Sequence, residues 1–188
     1  MLDLARHGTR LVFVPHVVRM PQVDACRDSY LCPISQAAPD YLATAFPDIR
    51  FLSPLFDFTN GYESSSALVE TAVRELGTPR EVAEAAWRSA VRAQTAVDRA
   101  LRDLGEQALA AAVALGKPAI LLAGHSYNAF SPEASQSVGK KLSSMGVTVI
   151  PADCLPPVKA GATSWHFANQ LLNAAAVAKE HPNLFLVA

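Results

Sequence analysis

Ala119-Ile120-Leu121-Leu122-Ala123-Gly124-His125-Ser126-Tyr127-Asn128 reads as a buried strand that runs into a sharp polar loop. An apolar run with no polar interruption fits a strand covered on both faces, and Gly124 allows a tight exit from it. Pro132 and Glu133 then predict a helix start, with the helix reaching about Met145 and ending at Gly146. Val147-Thr148-Val149-Ile150 is a second strand, closed by Pro151; Trp165–Ala178 is helical and Leu184–Val187 is a last strand. Strands alternating with helices imply βαβ units and a mostly parallel sheet.

Upstream of Lys117-Pro118 lies a long helical pattern. Thr78-Pro79-Arg80-Glu81 offers a Thr cap, a Pro at the next position and a Glu that completes a capping box. Val82, Ala86, Ala90, Val97, Leu101, Leu104, Ala108 and Leu115 follow on one face. Unbroken to Leu115, such a helix spans roughly 55 Å at ~1.5 Å per residue, more than a small domain covers. Either Gly105 breaks it, or part of its apolar face is exposed or buried in a homodimer.

The first third is read in the same way. Leu11–Val14 is a strand ending at Pro15, and Pro33 takes the first helical position before Ile34–Phe46, which Pro39 interrupts. Asp48–Leu52 is a strand closed by Pro54, residues 56–64 form a loop holding Phe56, Phe58 and Tyr62, and Ser66–Leu76 is a helix stopped by Gly77. The expected fold is a three-layer α/β sandwich, Rossmann-like or flavodoxin-like. It has a four- or five-stranded mostly parallel sheet plus one long helix, over residues 1–188 as a single domain excised from a larger protein.

Hydrophobic residues make up 51% of the chain and charged residues 18%, a composition that builds a core. A net charge of −1 with scattered basic residues gives no footprint for nucleic acid. Apolar runs fall far short of a membrane span, and no secretory signal is visible. Cys26, Cys32 and Cys154 cannot all pair, so reduced thiols in a cytoplasmic protein are expected.

Candidate chemistry gathers at two places. In the strand–loop–helix around Gly124–Asn128, Gly124, His125, Ser126, Tyr127 and Asn128 are candidate ligand-binding residues, with His16 at the end of the first strand as a further one. In a parallel sheet, Tyr127 and Asn128 should then line a pocket near His16 or Cys32, with Asp153 or Cys154 on another wall. The ordinary alternative is that Asn128 and Ser131 only cap turns and Tyr127 packs. The loop is neither a dinucleotide fingerprint nor a P-loop. Cys32-Pro33 sets a sulfur at a helix N-terminus, where the dipole favours a thiolate. Cys26 and Cys32 do not have a common metal-site spacing, and no catalytic triad or carboxylate pair is legible.

Several segments together resemble the acyl-CoA dehydratase activase-related proteins. These are Phe13-Val14-Pro15, Leu31-Cys32-Pro33-Ile34, Phe51-Leu52-Ser53-Pro54, Leu121–Asn128, Val138-Gly139-Lys140-Lys141-Leu142, Val149-Ile150-Pro151, Trp165 and Asn183-Leu184-Phe185. Where that family has a cysteine after the first strand's Pro, this chain has His16, and where it has Arg-Pro after the glycine, this chain has His125-Ser126. The relatives resemble activators of 2-hydroxyacyl-CoA dehydratases and the dehydratase subunits, which hold [4Fe–4S] clusters through cysteines. The resemblance carries over Cys32 alone as a candidate metal ligand, in the full-length context, and implies no cofactor in this chain by itself. It also implies a regulatory or scaffolding domain whose partners are other domains of the parent protein or a dehydratase component. An independent nucleotide- or CoA-like-binding domain is the alternative. A complete enzyme with Cys32 as nucleophile ranks last, because spacing places no base beside it.

Overall fold

The computed structural model describes residues 1–21, 28–157 and 163–188, so Cys26 lies outside the described residues. By internal contacts the described residues fall into two compact units, one within 1–93 and the other within 94–188.

In the first unit, α1 (Leu2–Arg6) precedes β1 (Leu11–Phe13) and β2 (His16–Arg19). Next come α2 (Pro33–Ala45), β3 (Arg50–Leu52), β4 (Leu55–Asp57) and α3 (Ala67–Leu76). α4 (Arg80–Leu115) begins here and continues into the second unit's residues. β1 pairs in parallel with β3, and β2 with β4. The two pairs are separate two-stranded sheets that follow one another with the same offset between partners. Phe13 lies opposite Leu52 and His16 opposite Leu55, which sets Pro15 level with Pro54. Prolines have no N–H to donate, so the pairing stops at that level on both strands. It resumes at once, the His16 N–H donating to the Pro54 carbonyl at 3.0 Å. The strands expected to end at Pro15 and Pro54 do end there, at Phe13 and Leu52, and an unexpected second parallel pair follows the prolines.

β4 overlaps the start of the segment expected to be loop, residues 56–64. Phe56 and Phe58 are buried, and their rings stack on Trp87 of α4 at centroid distances of 5.6 and 6.3 Å. α2 runs through Pro39, which is buried. α3 ends on Gly77 at φ 67, a left-handed conformation that glycine adopts without a steric penalty.

The second unit consists of β5 (Ala119–Leu122), α5 (Ser126–Ala129), α6 (Val138–Ser144), β6 (Thr148–Pro151), α7 (His166–Glu180) and β7 (Leu184–Val187), together with the later turns of α4. Its sheet is parallel throughout, in the order β6-β5-β7. Leu121 and Ile150 are fully buried at its centre, packed with Ala112, Ala174, Val177 and Leu184. Burying one such large aliphatic side chain is worth about 1.5–3 kcal/mol.

The α/β class and the long helix are observed, while no sheet among the described residues exceeds three strands. α4 does not break at Gly105; there the missing side chain lets the backbone of Cys154 approach. Val97 and Leu104 on the helix face are 53% and 61% exposed. The helix expected from Pro132 begins only at Val138, because Gln136 and Ser137 take φ values of 50 and 56. Those left-handed residues stop helical hydrogen bonding from running back to Pro132.

Candidate functional site

Cys32 occupies the N-cap of α2, with φ −61 and ψ 145, and Pro33 follows at the first helical position. The segment leading to it is tied to β2. Leu31 N–H donates to the Val18 carbonyl at 3.0 Å, Met20 N–H to the Ser29 carbonyl at 2.9 Å, and Gln36 Nε2 to the Leu31 carbonyl at 2.6 Å. Arg19 fastens the same segment from its side chain. Its guanidinium donates to Tyr30 Oη at 2.6 Å and lies 4.5 Å from the centroid of that ring, and it also reaches Thr59 at 3.4 Å and Asp57 at 3.7 Å.

The half-buried Cys32 thiol sits over the free amides of the first turn. The Ser35 N–H and the Ser35 hydroxyl hold its pKa below the ordinary thiol value, with a smaller contribution from the Ile34 N–H. The Ser35 Oγ lies 3.8 Å from Sγ. Cys154 is the opposite case: it is buried, and burial together with the Asp153 charge pushes its thiol up to about 11. Cys32 therefore loses its proton more readily than an ordinary thiol, and Cys154 less readily.

The Gly124–Asn128 segment leaves the carboxyl end of β5, the middle strand of its sheet. Gly124 has φ +146, and a β-carbon there would lie 2.8 Å from that of Ala129, so this exit requires glycine. α5 then turns immediately, the Asn128 and Ala129 N–H groups both donating to the His125 carbonyl at 2.8 Å. The His125 ring stacks on Tyr127 at 5.1 Å and meets the edge of Phe167 at 4.3 Å, and His166 contacts the same Phe167 at 5.2 Å. Burial lowers the pKa of His166, favouring its neutral form. Nδ1 of His125 is buried with no hydrogen-bond partner among the described residues.

His125 and Tyr127 thus belong to an aromatic cluster with Phe167, a partner that sequence spacing did not reveal. Tyr127 is 57% exposed and stands at the surface, where a pocket wall was expected. Asp153 and Cys154 follow β6 and leave the sheet at the same edge. His16 and Cys32 belong to the first unit and the Gly124–Asn128 loop to the second, so neither unit by itself unites them.

A [4Fe–4S] cluster takes four cysteine ligands. Among the described residues, no group of three or more His, Cys, Asp or Glu is arranged to hold a metal ion. Cys32, its thiol pKa lowered, suits one such ligand; Cys154, buried and with its thiol pushed up to about 11, does not. The family model described as the CoA enzyme activase uncharacterised domain matches residues 1–155. The chain belongs to that family. No curated protein and no solved structure matches it. In this activase-related domain the matched span includes Cys32, the Gly124–Asn128 loop and the turn through Cys154. No helix among the described residues is long and apolar enough to cross a membrane.

Proposed function

We propose that this domain is a regulatory or scaffolding part of an acyl-CoA dehydratase activase-related protein, acting in the cytoplasm. Its chemical contribution is one thiolate, Cys32, offered to a site that other domains of the parent protein or a dehydratase component complete. The setting of Cys32 carries the reading: a half-buried sulfur at the N-cap of a 13-residue helix, its pKa lowered by the Ser35 and Ile34 amides and the Ser35 hydroxyl. None of these partners is a base, which favours a ligand over a nucleophile. A [4Fe–4S] cluster would supply one-electron chemistry when bound. Cys32 would supply one of its thiolates, while the β2 ties and Arg19 hold the segment that presents it.

Anaerobic iron and sulfide reconstitution tests this reading, with the chain alone and in mixture with the dehydratase component. Stable cluster absorbance is expected only in the mixture and is lost with Cys32→Ser. A mixture that assembles the same cluster with Cys32→Ser sinks the proposal.

A second reading is favoured by the strand order β6-β5-β7, in which the chain moves first to one side of β5 and then to the other. In open parallel sheets ligands bind outside the carboxyl ends at such a reversal. Gly124–Asn128 occupies that position, so nucleotide or CoA-like binding there is the alternative function. Calorimetry with CoA, acyl-CoA and nucleotides on wild type and Asn128→Ala decides it: no heat at millimolar ligand removes the reading.

A further inference from the structure

A helix stop in the second unit lacks the residue that such stops ordinarily use. Among the described residues, every positive φ belongs to a glycine except those of Gln136 and Ser137. Gly77, Gly116 and Gly146 follow helices in this way, with φ of 67, 59 and 80. A left-handed backbone brings the β-carbon against a carbonyl oxygen, a cost that glycine escapes and that two successive side chains incur twice. Such residues persist where the surrounding structure over-determines them. Here the hydrogen bonds of residues 131–137 all stay within Ser131–Lys141 among the described residues, and Pro132, Glu133, Ala134 and Gln136 are exposed.

Both sides of the stop are already helical. Upstream, the Ser135 N–H donates to the Ser131 carbonyl, four residues back, at 2.9 Å; downstream, the Lys141 N–H donates to the Ser137 carbonyl at 3.0 Å. Between them the Ser137 N–H reaches five residues back to the Pro132 carbonyl at 2.9 Å, which closes one turn before α6 opens the next. The half-buried Ser131, Ser135, Val138 and Leu142 are spaced by four, three and four residues, as on one face of a single helix across the break. Ser131 and Pro132 are suited to the cap and first positions of that longer helix. The longer helix therefore keeps the covered face and relieves both left-handed residues.

We propose that Pro132–Ser144 is a two-state element, broken at Gln136 and Ser137 in the present form and a single helix in the other. The exchange repositions the turn at Pro132–Ser135, which follows the Gly124–Asn128 loop and α5 in the chain, and it is independent of what that loop binds.

The test follows the whole 188-residue chain by NMR. An Overhauser contact between the Gln136 Hα and the Gly139 N–H, three residues on, marks the continuous helix. Wild type is expected to give this contact weakened, with doubled signals or with relaxation dispersion across Ser135–Val138. Glycine favours the left-handed form and disfavours a helix interior, and alanine does the reverse. Gln136→Gly with Ser137→Gly should therefore remove the contact, and Gln136→Ala with Ser137→Ala should bring it to full strength. The ratio of the two forms should differ between these variants by at least about thirtyfold. Ser143→Ala, at a position helical in both forms, should leave the ratio as in wild type. The proposal is overturned if wild type shows one form with no exchange, if the folded alanine variant keeps the break, or if the glycine variant keeps the contact in full. Should the alanine variant fail to fold, wild type and the glycine variant decide.

Discussion

A β-carbon placed on Gly105 would stand 1.8 Å from the carbonyl oxygen of Cys154. In an uncovered helix Gly→Ala is favourable by roughly 1 kcal/mol, because alanine loses less conformational freedom on folding. Here the sign should reverse. The methyl meets backbone, which cannot swing aside, so Gly105→Ala is expected to destabilise the chain by about 1–3 kcal/mol. Urea unfolding measures this; a midpoint that rises shows that the close approach is absent in solution.

Cys32 should alkylate with a pH midpoint below that of an ordinary free thiol, read by mass spectrometry in a Cys26→Ser background. Ser35→Ala removes the hydroxyl but keeps the amide, so it should raise the midpoint without restoring the ordinary value. Native Cys154, with its thiol near 11, has a thiolate fraction of about one in a thousand at pH 8 and should stay unmodified. The stability effect of Cys32 has a defined sign. The folded chain binds fewer protons between the folded and unfolded pKa values of this thiol. Its contribution is therefore full above the unfolded value and is lost as pH falls through the folded one. Cys32→Ser should flatten that part of the stability–pH curve.

Asn183 is a clasp for the end of α4. Its Nδ2 donates to the Ala112 carbonyl at 3.0 Å and to the Lys117 carbonyl at 2.9 Å. Ala112 is in the last turn, whose carbonyls have no helical partner. Asn183→Ala should cost about 1–3 kcal/mol, and Asn183→Asp should cost more by aiming an anion at two carbonyl oxygens. Chemical denaturation of both variants gives the order, and an aspartate variant as stable as wild type refutes the clasp.

For Arg19 and Tyr30 a double-mutant cycle is the direct measurement. The short bond predicts a coupling of about 0.5–3 kcal/mol between Arg19→Lys and Tyr30→Phe, since the phenylalanine keeps the ring and removes only the hydroxyl. Additive effects would show that the Arg19–Tyr30 hydroxyl bond contributes nothing to stability.

The second unit was largely legible because β5 is an unbroken apolar run, and such a run has few other uses in a short segment. β2 and β4 were hidden by Pro15 and Pro54, each of which looks like a terminator when read singly. Only the pairing reveals that the two prolines fall at one level, between two successive strand pairs. The left-handed Gln136 and Ser137 carry no glycine to announce them, so the late start of α6 had no local signal. The N-cap position of Cys32 was legible because Pro33 marks the first helical position. Phe167, which packs on His125, comes from a distant helix and obeys no spacing rule.

α4 has one more property. Its covered residues include Ala83 and Val91 early and Gly105 and Ala112 late, whereas from Arg92 to Leu104 all but Asp98 are exposed. Helices ordinarily lose hydrogen bonds from their ends, where capping is weakest. In α4 the order should be inverted, with amide hydrogens near Thr95–Arg102 exchanging with deuterium before those near Val91 or Ala112. A bare central span also makes helix propensity, elsewhere overruled by packing, the determinant of local persistence. Thr95 and Val97, weak helix formers within that span, thus set how often the longest element of the protein opens at its waist.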